Sequence, residues 1–211
     1  MKPNWPLIRL LVAKDWQLFQ KQFAAYVLAG VVALCLLALA RPWAFYFGSL
    51  LLIVVLVAGA CFAISTSLLV ERKERTLAFV MSLPVSPLDF TLAKLAGNLL
   101  TFGVPWLMVG AGTLAVILYS PLPDGLVVHA VLLFGSVAAA YAVGLAVAMR
   151  VESEGWNIFA MIGSMLLINP FIMALGQIEA ISTPARGDVV VWSTPALSIL
   201  LAQFAIVVLM L

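Results

Sequence analysis

The stretch LLIVVLVAGACFAISTSLLVERKER, Leu51–Arg75, decides the fold of this chain. It opens with twenty residues carrying no charged side chain, enough helix to cross the roughly 30 Å hydrocarbon layer of a bilayer. It closes on five consecutive ionisable residues, Glu71 to Arg75, in a chain that is only 9% charged. The apolar run is a solid block of Leu, Val, Ala and Gly without the period-2 alternation of a membrane barrel strand. The remainder of the 211 residues repeats this texture: 65% are hydrophobic, against about half in a soluble domain. The expected fold is an all-α polytopic membrane protein.

Six spans can be drawn, at about 22–40, 43–70, 90–119, 126–149, 156–176 and 190–211. With the N-terminus on the cytoplasmic side, Lys2, Arg9, Lys14, Lys21, Arg72, Lys73, Arg75, Lys94 and Arg150 fall inside, and only Arg41 and Arg186 fall outside. That asymmetry follows the positive-inside rule and puts both termini in the cytoplasm. Ala38-Leu39-Ala40 resembles a signal-peptidase site, but the long preceding segment with Asp15 favours a retained first span.

Residues 1–21 read as an amphipathic helix, with Asn4 as N-cap and Pro6 in the first turn. Leu7, Ile8, Leu11, Val12, Trp16, Leu18 and Phe19 share one half of the helical wheel. Arg9, Lys14, Gln17, Gln20 and Lys21 share the other, while Leu10 and Asp15 break the pattern. Such a helix, with Trp5, Arg9, Lys14 and Trp16 as interfacial anchors, either lies in the membrane interface or extends the first span into the cytoplasm. Residues 22–211 then form the transmembrane domain. Lys94 is expected to snorkel to the cytoplasmic surface, and Leu88–Leu95 to form the entry turn of the third span. Pro105, after Gly103, and Asn169-Pro170 interrupt helical hydrogen bonding. With Asn98 they are candidates for a pathway, though ordinary packing kinks account for them equally well.

Several function classes lack their residues. No G-x-x-x-x-G-K-[ST] phosphate loop occurs. His129 stands alone, so neither a metal site nor serine-type catalysis has a second group, and Cys35 and Cys61 show no ligand spacing. The carboxylates Asp89, Asp124, Glu152, Glu154, Glu179 and Asp188 fall at span ends or in loops, unlike the membrane-depth acids of ion-coupled transporters. A net charge of +2 gives no footprint for nucleic acid. Catalytic, cofactor and metal sites are therefore not expected in this chain.

The block after the second span reads either as a topology-fixing loop or as a docking element. Glu71 and Arg75 form a favourable i,i+4 pair, Leu77, Val80 and Met81 share a face, and Pro84 and Pro87 end the segment. Acids contribute little to topology, so Glu71 and Glu74 between the bases favour docking. Glu71-Arg72-Lys73-Glu74-Arg75-Thr76-Leu77, then Met81-Ser82-Leu83-Pro84-Val85-Ser86-Pro87 and Lys94-Leu95, resemble the membrane subunit of ABC-2 type exporters, with Arg75 where many members have Gly. The six-span plan, the N-terminal amphipathic helix and the longer fifth outer connection match the same family. The resemblance implies a permease paired with a second copy or close paralogue. Two separate cytoplasmic ATPase subunits, holding ATP and Mg, would dock on segment 71–87 through Glu71, Arg72, Lys73, Glu74, Arg75, Thr76, Leu77, Met81, Leu83 and Pro84. It also implies an N-terminal helix that touches the ATPase, short re-entrant helices in the fifth connection, and a bacterial inner-membrane location. Lys94-Leu95-Ala96-Gly97-Asn98 with Gly103-Val104-Pro105 also resembles the CcmB-type permease of cytochrome c maturation, without the Trp-bearing second span of that branch. A non-transporting membrane scaffold that recruits a cytoplasmic partner is the alternative from another class.

Overall fold

The structure is a computed structural model that describes residues 4–66 and 86–211. Its elements are α1 (Trp5–Ala38), α2 (Pro42–Ile64), α3 (Pro87–Tyr119), α4 (Leu126–Arg150), α5 (Glu154–Leu166) and α6 (Ile168–Gln177). A short α7 (Glu179–Ser182), a 3-10 turn (Pro184–Arg186) and α8 (Thr194–Met210) follow. No strand occurs among the described residues. Counting α5 and α6 as one, five helical segments among the described residues are long and apolar enough to cross a membrane. The chain is a helical, multi-pass membrane protein.

The sequence places a boundary near residue 21, but α1 passes through it without a break. The reason lies in the face that α1 buries. Ile8, Asp15, Phe23, Gly30, Ala33 and Leu37 recur at spacings of three, four, seven or eight residues and form one stripe from end to end. The phase does not change at residue 21, so nothing forces a kink. Asp15 belongs to the centre of this stripe, whereas Trp16 and Leu18 lie outside it and are exposed. At 1.5 Å per residue the 34-residue helix is about 50 Å long, some 20 Å more than the hydrocarbon layer. Ala40, with φ of 49°, ends α1 in the left-handed conformation usual just past a helix, and the chain turns at once into α2.

The third apolar helix starts at Pro87, three residues before its expected start and ahead of the proposed entry turn. Ser86 is its N-cap: the Asp89 amide donates to Ser86 Oγ at 3.1 Å, and Ser86 Oγ donates to Asp89 Oδ2 at 2.7 Å. Pro87 fits the first helical position because its missing N–H would have had no helical partner. Leu88–Leu95 is therefore regular helix, and α3 also reaches about 50 Å.

Pro105 leaves the Thr101 carbonyl without its usual donor, yet α3 remains helical through it. Pro170 has the larger effect. It supplies no N–H to Leu166, and the fifth span divides at Leu167 into α5 and α6. Helical bonding resumes with the Phe171 amide donating to the Leu167 carbonyl at 3.1 Å.

Helix α4 forms the middle of the bundle and packs against α2, α3, α5, α6 and α8. Tyr141 stacks on Phe102 of α3 with ring centroids 4.0 Å apart, and Trp106 Nε1 donates to the Phe134 carbonyl at 3.1 Å. On its other side Gln203 Nε2 of α8 donates to the Leu132 carbonyl at 3.0 Å, while Gln203 Oε1 lies against Gly135 where any Cβ would collide with it. Side-chain amides of this kind join helices in an apolar medium that offers them no other partner.

At the start of α4 the Gly125 amide donates to the Gly187 carbonyl at 3.0 Å, and a Cβ on Gly125 would overlap the Pro184 carbonyl. Backbone cannot yield as a side-chain tip can. Gly125→Ala should therefore cost about 1–3 kcal/mol of stability, as overpacking usually does. Thermal unfolding in detergent checks this, and an unchanged midpoint would contradict the packing described.

Candidate functional site

The described residues with the most unusual chemistry lie between α1 and α3. These helices run parallel. Lys94 Nζ donates to Asp15 Oδ2 at 3.0 Å across 79 residues of chain, and the Gly30–Val109 approach keeps the same separation. A Cβ on Gly30 would sit 2.7 Å from Val109 Cγ2, so glycine lets the two helices draw together. Below, the Asn4 amide donates to Asp89 Oδ1 at 2.8 Å. Ion pair, backbone bond and glycine contact thus tie α1 to α3 at three levels.

The ion pair is covered by protein. The Lys94 and Asp15 side chains keep only 7% and 9% of their accessible surface. Lys14 Nζ, largely exposed, approaches Asp15 Oδ1 at 3.6 Å, and Lys94 Nζ stands 5.8 Å from the Phe90 ring centroid, within cation–π range. Lys94 thus does not snorkel to the surface as the sequence suggests. Asp15, which the helical wheel treats as a misfit, is its counter-ion. From Lys94 to Tyr119 α3 measures about 37 Å, so with Tyr119 at one interface Lys94 lies near or beyond the opposite edge of the hydrocarbon. A charge pair at this depth is easier to accommodate than one at mid-bilayer.

The other residues singled out from the sequence are scattered. Glu71, Arg72, Lys73, Glu74, Arg75, Thr76, Leu77, Met81, Leu83 and Pro84 lie outside the described residues. Trp5, Arg9, Lys14 and Trp16 are exposed along the first half of α1. Asn98 is fully buried, and its Nδ2 donates to the Lys94 carbonyl at 3.0 Å. Pro105 borders a cavity of about 20 Å³ with Tyr26, Gly59, Thr101 and Trp106. Asn169 and Pro170 are exposed on α6. The four kink residues therefore do not line one described channel.

A groove of about 450 Å³ between α3, α4 and α8 is walled by Trp106, Gly110, Ala111, Phe134, Gln203 and Phe204. It is almost wholly apolar. Among the described residues no group of His, Cys, Asp and Glu is arranged to hold a metal. Asp15 and Gln203 were the residues that sequence reasoning passed over. The available signal was the same for both: one strongly polar side chain on an otherwise apolar helix face.

Comparison with known proteins returns no matching family model, no matching curated protein and no matching solved structure.

The pair makes a quantitative prediction. Removing Lys94 leaves the buried Asp15 only the largely exposed Lys14 at 3.6 Å, so Lys94→Met should destabilise, by at most about 3–5 kcal/mol. Asp15→Asn with Lys94→Met should cost clearly less, because neither charge remains. Unfolding in mixed micelles across this double-mutant cycle measures the coupling; additive costs would show that the two residues do not interact.

Proposed function

We propose that this chain is the membrane-spanning permease subunit of an ABC-2 type exporter, moving a solute on ATP hydrolysed by a separate cytoplasmic ATPase. In this reading the membrane domain has six spans, with α8 the sixth, and both termini are cytoplasmic in a bacterial inner membrane. The 17 residues of α8 give about 25 Å of helix, close to the hydrocarbon thickness. Two ATPase copies and a second permease copy complete the assembly, and ATP and Mg belong to the ATPase chains.

The observation that carries the reading is the pairing of α1 and α3 beyond the length a bilayer requires. Both helices extend at the end where segment 71–87 enters α3, and there Asp15–Lys94 and Asn4–Asp89 hold them together. A protein that only filled the membrane would have little use for two 50 Å helices whose polar ties extend past the bilayer's thickness. A subunit driven from that side needs such an extension, because force delivered to the alternating acids and bases of Glu71–Arg75 must reach the membrane. The sequence pattern of that block, with its Ser-Leu-Pro-Val-Ser-Pro turn, supports the same assignment.

In the resulting mechanism, closure of the ATPase pair displaces segment 71–87. The displacement passes to α3 through Pro87 and moves α1 to α3 relative to α5, α6 and α8. A solute route then opens along the interface between the two permease copies. Glu71→Ala with Glu74→Ala should lower solute-stimulated ATPase activity about tenfold, equivalent to about 1.4 kcal/mol of lost coupling, and leave the membrane fold intact. Proteoliposomes holding the chain and its co-purified ATPase provide the measurement. Full stimulation in the double variant would refute the docking role.

A further inference from the structure

We infer that Asp15 and Lys94 are positioning residues that fuse α1 and α3 into one lever, so that motion delivered at the start of α3 is passed sideways to α1. This rests on the reading of the chain as a partner-driven permease, and adds to it a device that its sequence pattern does not specify.

Three features of the geometry support a transmitting role. First, the pair is placed where a lever needs its tie. Lys94 is two helical turns into α3 from Pro87, and Asp15 is three turns into α1 from Trp5. Secondly, the tie is directional. Ser86 and the Asn4 amide hold the Asp89 carboxylate at the first turn of α3, and Asp15 holds Lys94 further along the same face of contact. Two anchors separated along the axis resist both sliding and rotation, whereas one would leave a pivot. Thirdly, the contacts further along are apolar: Gly30 against Val109 and Gly112 against Leu34 let the helices approach closely. A charged pair withdrawn from water has a steep dependence on distance and geometry, which apolar contact lacks.

Stability alone is a weak reason for such a pair. Apolar residues of similar volume would stabilise as well or better, since desolvation offsets much of the Coulomb attraction of a buried pair. The role such a pair serves best is to fix the register between two elements, and here it joins α1 to α3.

The test uses pulsed electron paramagnetic resonance on the complex of the chain with its co-purified ATPase, in proteoliposomes and with Cys35 and Cys61 replaced by Ala. Spin labels at Lys21→Cys and Leu88→Cys report the α1–α3 distance, and labels at Lys21→Cys and Glu152→Cys report α1 against the α4–α5 turn. All three positions are exposed. On addition of Mg-ATP the first distance should stay constant and narrow while the second shifts. In Asp15→Asn with Lys94→Met, which strands no charge, the first distribution should broaden at least twofold and the shift in the second should fall. Exchange of the charges, Asp15→Lys with Lys94→Asp, should restore both. Wild-type behaviour in the neutral double variant overturns the lever, and leaves the permease reading standing. Absence of any nucleotide-dependent shift in the wild-type chain overturns the permease reading. The nucleotide-free width of the first distribution still judges the tie in that case: equal widths in wild type and neutral variant overturn it.

Discussion

The structure depends on one constraint: a charged side chain in an apolar helical body must find a partner or reach water. Lys94 and Asp15 meet it by pairing across two parallel helices, and that solution sets much of the surrounding architecture. It requires α1 and α3 to run side by side in a fixed register, and it requires Asp15 to point inward from a segment whose other polar residues point out. The Gly30–Val109 approach keeps that register, and the Asn4–Asp89 bond ties the starts of the same two helices.

The same accounting explains the other end of the bundle and its centre. Backbone polar groups are expensive to leave unpaired in lipid, so the chain keeps nearly everything helical and places its irregular residues where other backbone meets them. Gly187 and Pro184 close onto the start of α4 in this way. Gln203 is handled similarly, its amide nitrogen on the Leu132 carbonyl and its oxygen against the bare Cα of Gly135. Proline behaves according to its surroundings. At Pro105, packed among α1, α2 and α3, the helix continues; at Pro170, on an exposed face, the span divides.

Much of the fold was legible in the sequence because hydropathy acts over whole segments. Four of the drawn spans, 90–119, 126–149, 156–176 and 190–211, fall on α3, α4, the α5–α6 pair and α8 within a few residues. Near residue 21 the sequence left two readings open, an interfacial helix or an extension of the first span, and the unbroken α1 matches the extension because its packing stripe continues through the change in composition. The candidate site was legible only in outline. Lys94 stood out as a charge near a span, but its side chain was assigned to water on the reasonable ground that a long Lys can reach it. The charged block Glu71–Arg75 lies outside the described residues.

By itself the sequence determined that this is a helical membrane protein and roughly where its helices run. Those conclusions follow from the free energy of moving peptide and side chains between water and lipid, which composition over about twenty residues suffices to decide. Only the tertiary structure decided which face of α1 is buried, that Asp15 answers Lys94, and that α1 and α3 are fastened at the end where segment 71–87 enters. Pairing of that kind depends on the relative register of helices far apart in sequence, and helical periodicity within one segment carries no information about it.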